Sequence, residues 1–89
     1  MSKLDSFLAA LAQLPTGYFR GTYKGNSWGA TVERLSGGRQ TKLYGEELGG
    51  ADHVSFNLYQ PSSGKILLKP CEMPSEKVIA FVEGIELEH

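Results

Sequence analysis

Short segments of turn-forming residues recur through the middle of this chain, and they constrain its fold more than any other feature. Each segment contains glycine and separates two runs of strand-like composition. Connections this short join antiparallel neighbours, because parallel strands need crossovers of about a dozen residues or more. The pattern therefore predicts an antiparallel meander. The four segments are residues 25–27, 36–38, 49–52 and 61–64.

The runs between these turns alternate between apolar and polar residues. The fourth run is the clearest, with Val54, Phe56 and Leu58 on one side and polar residues on the other. Because side chains alternate along a strand, this pattern predicts a sheet with one buried face. Ile66 and Leu68 of the fifth run continue the buried face. We call the opposite side of the sheet the open face. The five predicted strands are residues 18–24, 28–35, 40–47, 53–60 and 65–69.

Two amphipathic segments flank the predicted strands. Residues 3–14 carry leucines and Phe7 at helical spacing, and Pro74 opens a second segment whose apolar stripe runs from Val78 to Ile85. Both helices need an apolar surface, and the sheet has one apolar face to offer. The sequence therefore predicts an α+β fold in the order α-β-β-β-β-β-α. Its five-stranded antiparallel meander carries two helices packed on one face, with Trp28 in the core.

The last three residues, Leu87, Glu88 and His89, look like a purification-tag remnant, so the predicted single domain is residues 1–86. Without Glu88, the remaining chain has nine acidic and nine basic residues. Proteins that bind duplex DNA usually carry a basic excess. We therefore expect weak or no binding to duplex DNA.

Cysteine content and hydropathy indicate the compartment. One cysteine excludes an internal disulfide, and no run approaches the roughly 20 apolar residues of a membrane span. We expect a cytoplasmic protein with no membrane association. The chain is predicted to be a monomer or a homodimer, because a meander leaves two edge strands that can pair with a second chain.

Cys71 and His53 are the candidates for an enzyme. A thiol- or histidine-dependent reaction would use Cys71 as nucleophile and His53 as base. Against this alternative, Glu72 disfavours a thiolate beside it, and Asp52 and His53 should point to opposite sides of a strand. We predict that Cys71 is a buried, unreactive spacer at the sheet-to-helix corner. We predict no catalytic residues, no metal site and no cofactor, because no ligand cluster or phosphate-binding motif is present.

The open face combines tyrosines with basic residues. Such a surface can bind a protein partner or a small anionic ligand, because exposed Tyr and Arg are enriched in binding hot spots. The leading hypothesis is a non-enzymatic binding or interaction module, and a second alternative is a single-stranded nucleic-acid binder. The predicted binding residues are Arg20, Lys42, Tyr44, Asn57, Tyr59, Lys65 and Lys69.

Overall fold

The computed structural model describes residues 3–62 and 64–88. Ser63 of the fourth turn segment and His89 of the predicted tag remnant lie outside the described residues. A short 3₁₀ turn, Ser36–Gly38, separates the second and third strands. The elements are α1 (Lys3–Gln13), β1 (Gly17–Tyr23), β2 (Asn26–Leu35), β3 (Gln40–Glu47), β4 (His53–Tyr59), β5 (Leu67–Pro70), α2 (Ser75–Gly84) and β6 (Glu86–Leu87).

The strands form one sheet in the order β5-β4-β3-β2-β1-β6, and every neighbouring pair is antiparallel. The α+β class and the meander from β1 to β5 are confirmed. The predicted strand count of five is wrong, because β6 returns after α2 and pairs with the outer edge of β1. No pattern in the sequence predicts β6, which contains two residues and includes Leu87 of the predicted tag remnant.

The core lies between the two helices and one face of the sheet. Phe7 of α1 packs edge-on against Phe56 of β4, with ring centroids 5.6 Å apart. Val54, Phe56 and Leu58 are buried, as their alternation predicts. Trp28 is also buried and packs against Phe81 of α2. Burial of large apolar side chains of this kind is the main source of stability in a small domain.

The ring of Phe81 lies over Gly45, which is paired with Ala30 across β3 and β2. A Cβ atom at Gly45 would lie 3.2 Å from Phe81 Cζ. The glycine therefore lets α2 approach the sheet closely. Tyr23 and Trp28 contact the same ring, with centroid distances of 5.2 and 4.8 Å.

The C-terminus of α1 is fixed by Arg34 at the end of β2. Its guanidinium donates hydrogen bonds to the carbonyl oxygens of Leu11 and Leu14 at 2.9 and 3.0 Å, and to Thr16 Oγ1 at 2.6 Å. The last carbonyls of a helix have no partner within the helix. A cation at this end also interacts favourably with the helix dipole. Arg34 thus connects α1 to the sheet.

The fifth strand departs from the prediction. β5 begins at Leu67, so Lys65 and Ile66 lie in the segment before it. Ile66 and Leu68 are half-buried instead of fully buried, because Ile66 precedes β5 and Leu68 belongs to a short strand at the edge of the sheet. In the described part of the chain, neither helix has the length and hydropathy to cross a membrane.

Candidate functional site

The helices leave the open face uncovered, and the strand register fixes which side chains meet there. Lys42 of β3 lies between Glu33 of β2 and Asn57 of β4, and Lys69 of β5 lies beyond Asn57. These four residues form one row across the sheet. Side chains directly opposite each other in such a row lie about 5 Å apart at Cβ.

The next row is centred on Tyr44. Thr31 lies on one side of it and Ser55 on the other, with Tyr18 of β1 beyond Thr31. The side chain of Tyr44 is prominent, with 51% of the residue exposed. Small hydroxyl-bearing side chains on both sides leave its ring standing above the surface.

A shallow depression of about 190 Å³ lies where these two rows meet. We call it the central hollow. Three of the predicted binding residues, Lys42, Tyr44 and Asn57, line it together. Sequence reasoning missed the other polar lining residues. The complete lining is Thr31, Glu33, Lys42, Leu43, Tyr44, Ser55, Phe56 and Asn57.

The other predicted residues are more dispersed. Arg20 of β1 is exposed opposite Gly29, and Tyr59 is half-buried between Gln40 and Leu67 at the other end of the face. Lys69 is exposed and lies next to Asn57. Lys65 is exposed but precedes β5, so the structure does not bring it into the strand rows.

Tyr18 is an exposed aromatic residue that the sequence analysis did not select. It is 63% exposed, and its ring lies across Gly29 of β2, whose absent side chain leaves room for the Tyr18 hydroxyl. A tyrosine covering a strand glycine protects backbone that would otherwise be bare. Tyr18 lies two residues before Arg20 and therefore on the same side of β1, and this spacing could have identified it.

The open face carries both signs of charge. Glu33 lies opposite Lys42, and Glu46 lies opposite His53. All the charged residues among the predicted binding residues are basic, so neither glutamate was predicted. Acidic groups beside the lysines reduce the positive potential that a nucleic-acid backbone requires.

His53 belongs to the open face, and the preceding residue, Asp52, contacts both its backbone amide and α2. The Asp52 carboxylate accepts hydrogen bonds from Lys77 Nζ at 2.7 Å and from the backbone amide of His53 at 2.9 Å. The hydrogen bond from Lys77 lowers the pKa of Asp52 below its ordinary value of 3.8. Asp52 therefore connects α2 to the start of β4.

The prediction that Cys71 is buried is wrong, because Cys71 is exposed. Its backbone amide donates to the Ser55 carbonyl at 3.0 Å, so the main chain still pairs beside β5. The next residue, Glu72, has a positive φ of 57°, which turns the chain towards α2. Cys71 is exposed because it follows Lys69 on the open-face side of this edge, opposite Ser55, while Pro70 takes the core side opposite Phe56.

Among the described residues, no group of three or more His, Cys, Asp or Glu side chains could hold a metal ion. Comparison of the chain with models of protein families gave no match, and searches of curated proteins and of solved structures found no significant similarity.

Proposed function

We propose that this protein is a non-enzymatic interaction module that binds a protein partner through its open face. The observation that carries the proposal is the convergence of Lys42, Tyr44 and Asn57 on the central hollow. Tyrosine provides a large contact area with few rotatable bonds, and it is enriched in interface hot spots. Lysine and asparagine beside the tyrosine can make polar contacts around its ring.

The dimensions of the hollow favour a protein partner over an enclosed small molecule. Its volume is about 190 Å³, whereas pockets that enclose small ligands usually measure about 300–1,000 Å³. A partner that lies across the face could place one side chain in the hollow and contact Tyr18 and Tyr44 on either side. Protein interfaces commonly combine such aromatic contacts with a polar rim.

The mixed charge supports the same proposal. Glu33 and Glu46 lie among the basic residues of the open face, which suits a partner that presents both carboxylates and basic groups. Complementary charges across an interface increase specificity and association rate more than affinity. Single-stranded nucleic acid and small anions are less well matched, because the two glutamates repel both.

Amide chemical-shift titration separates these ligand classes. The probes are a single-stranded oligonucleotide, inorganic phosphate, and a set of short peptides of mixed charge that each contain one central apolar residue. We expect peptide-induced shifts at Lys42, Tyr44 and Asn57, and weaker binding by Tyr44→Ala. The matched control is Glu83→Ala on the exposed side of α2, which should bind as the original chain does.

Other distributions of shifts would contradict the proposal. A response to the oligonucleotide or phosphate without a response to any peptide would favour the anionic ligands. Shifts confined to Cys71 and its neighbours would favour the alternative enzyme.

A second candidate, a thiol-dependent enzyme, is supported by one observation. Cys71 is exposed, and its amide pairs with Ser55, two residues from His53 along β4. Residues at this diagonal spacing lie about 7–8 Å apart at Cα. The measured pKa of the Cys71 thiol tests this candidate, because a nucleophilic cysteine requires a value well below about 8.5.

A further inference from the structure

The outer edge of β1 is covered along only part of its length. β1 extends from Gly17 to Tyr23, but β6 pairs with it only at Gly21 and Thr22. One further hydrogen bond, from the Glu88 amide to the Arg20 carbonyl, measures 3.0 Å. In the described part of the chain, residues 17–19 have no strand partner on this side.

Much of the covering segment has the sequence of a purification-tag remnant. Leu87 lies opposite Gly21, and Glu88 bonds to Arg20. The side chain of Leu87 is half-buried and packs against the hydrophobic core. Leu87 and Glu88 thus complete the sheet at this edge, and Leu87 supplies an apolar side chain to the core.

We propose that the β1 edge over residues 17–21 is a docking site for an extended strand of a protein partner. The partner strand runs antiparallel to β1 and places an apolar residue opposite Gly21, in the position that Leu87 occupies. Recognition of this kind uses main-chain hydrogen bonds for affinity and alternate side chains for specificity. The inference takes residues 87–89 as the tag remnant, and it concerns a surface distinct from the central hollow.

Gly21 is what permits the close approach at this edge. A Cβ atom there would lie 2.6 Å from the Glu86 carbonyl oxygen and 2.9 Å from Ile85 Cγ1. The segment leaving α2 therefore lies directly against the β1 backbone. A partner strand would continue along the edge from the point where Glu86 pairs with Thr22.

The register favours a partner strand over a second copy of this chain. Antiparallel pairing of two β1 strands over residues 17–21 would place Gly17 of one copy opposite Gly21 of the other. Glycine has no side chain to occupy the position that Leu87 fills. A strand from a different protein with a large apolar residue at that point can form the backbone hydrogen bonds and also pack against the core.

The test uses the full chain and its Leu87→Asp variant, in which the tail loses its apolar anchor. The probe is a fluorescent seven-residue peptide of alternating threonine and leucine between terminal lysines. We expect the variant to bind the peptide at least about tenfold more tightly than the original chain, a difference of about 1.4 kcal/mol, because the tail no longer competes. A peptide with aspartate in place of leucine is the matched control and should not bind.

Hydrogen exchange provides a second measurement that does not depend on the peptide. The Glu88 amide should be protected in the original chain and exchange freely in Leu87→Asp, while the amides of β3 and β4 stay protected in both. Absence of protection at Glu88 in the original chain would overturn the inference, since the tail would then not pair with β1. Loss of protection throughout the Leu87→Asp sheet would also contradict it, because the tail would then be an integral part of the fold.

The remaining outcomes are also decisive. Equal peptide affinity for the two chains, or peptide-induced shifts away from residues 17–21, would overturn the inference. Dimerisation of Leu87→Asp without peptide binding would assign the edge to a second copy. Lys42→Glu separates this inference from the proposed function, because it should impair binding at the central hollow and leave binding of the strand peptide unchanged.

Discussion

The rings of Tyr44 and His53 lie stacked on the open face, with centroids 6.4 Å apart and 25° between their planes. The two residues sit diagonally on the neighbouring strands β3 and β4. The imidazole supports one side of the phenol ring, while half of Tyr44 remains exposed. Tyr44 is therefore positioned before a partner arrives, which lowers the entropy cost of binding.

Truncation of an aromatic side chain should lower the free energy of unfolding much more on the buried face of the sheet than on the open face. Phe56→Ala removes a fully buried ring that packs against Phe7, and it should lower the free energy of unfolding by about 3–5 kcal/mol. Tyr44→Ala should change it by less than about 1 kcal/mol, because Tyr44 is exposed. Urea denaturation of both variants measures the contrast. Similar losses for the two would contradict the assignment of the faces.

Arg34→Lys should destabilise the protein although it keeps the charge. The ammonium group of lysine cannot reproduce the planar guanidinium, which donates hydrogen bonds to Leu11, Leu14 and Thr16 at the same time. We expect a loss of about 1–3 kcal/mol, since hydrogen bonds from charged groups contribute about 1.5–3 kcal/mol each and lysine retains part of that contribution. Thermal denaturation gives the loss, and amide exchange should increase at the end of α1. The exposed Arg39 provides the control, because Arg39→Lys should have little effect.

The Asp52–Lys77 ion pair should make stability depend on pH in the acid range. Lys77 lowers the pKa of Asp52 in the folded state. The pair therefore contributes fully above the unfolded pKa of about 3.9, and its contribution is lost as the pH falls through the lower folded value. Both side chains are partly exposed, at 38% and 48%, so solvent screening limits the contribution to at most about 1 kcal/mol.

Asp52→Asn tests this dependence. The variant should be less stable than the original chain at pH 6, and the difference should disappear near pH 2. It should also shrink at 1 M NaCl, where the screening length is about 3 Å. A difference that persists at pH 2 would contradict the ion-pair account, because Asp52 is then neutral and asparagine keeps the oxygen that accepts from the His53 amide.

Cys71 should react with a thiol reagent in the folded protein, because its side chain is exposed. At pH 7 we expect a native labelling rate within about tenfold of the denatured rate. Strong protection in the native state would contradict the exposure of Cys71. Rapid labelling with an apparent pKa well below about 8.5, the ordinary value of a thiol, would favour the thiol enzyme.

Local patterns in the sequence were sufficient for most of the fold. The alternation of Val54, Phe56 and Leu58 correctly predicted the buried face, and with the short turns it predicted the pairing of consecutive strands. The same alternation placed Lys42, Tyr44 and Asn57 on the open face. These features depend on nearest neighbours along the chain, which is the information that periodicity contains.

Features that depend on distant backbone were not predictable in this way. The pairing of β6 with β1 is determined by where α2 ends in space, and no pattern in Glu86 and Leu87 reports that position. The positive φ of Glu72 was not predictable either, because glutamate rarely adopts this left-handed conformation. The central hollow was incompletely predicted because Glu33 and Ser55 join it only through the cross-strand register.

Site-specific photo-crosslinking in the cells that express the protein tests the central claim most directly. A benzoylphenylalanine replaces Tyr44 at the central hollow in one chain and Glu83 on the exposed side of α2 in another. We predict a discrete protein adduct from position 44 that disappears when Lys42→Glu is added, and no such adduct from position 83. Adducts of equal yield from both positions, or an adduct from position 83 alone, would contradict the claim that the open face binds the partner.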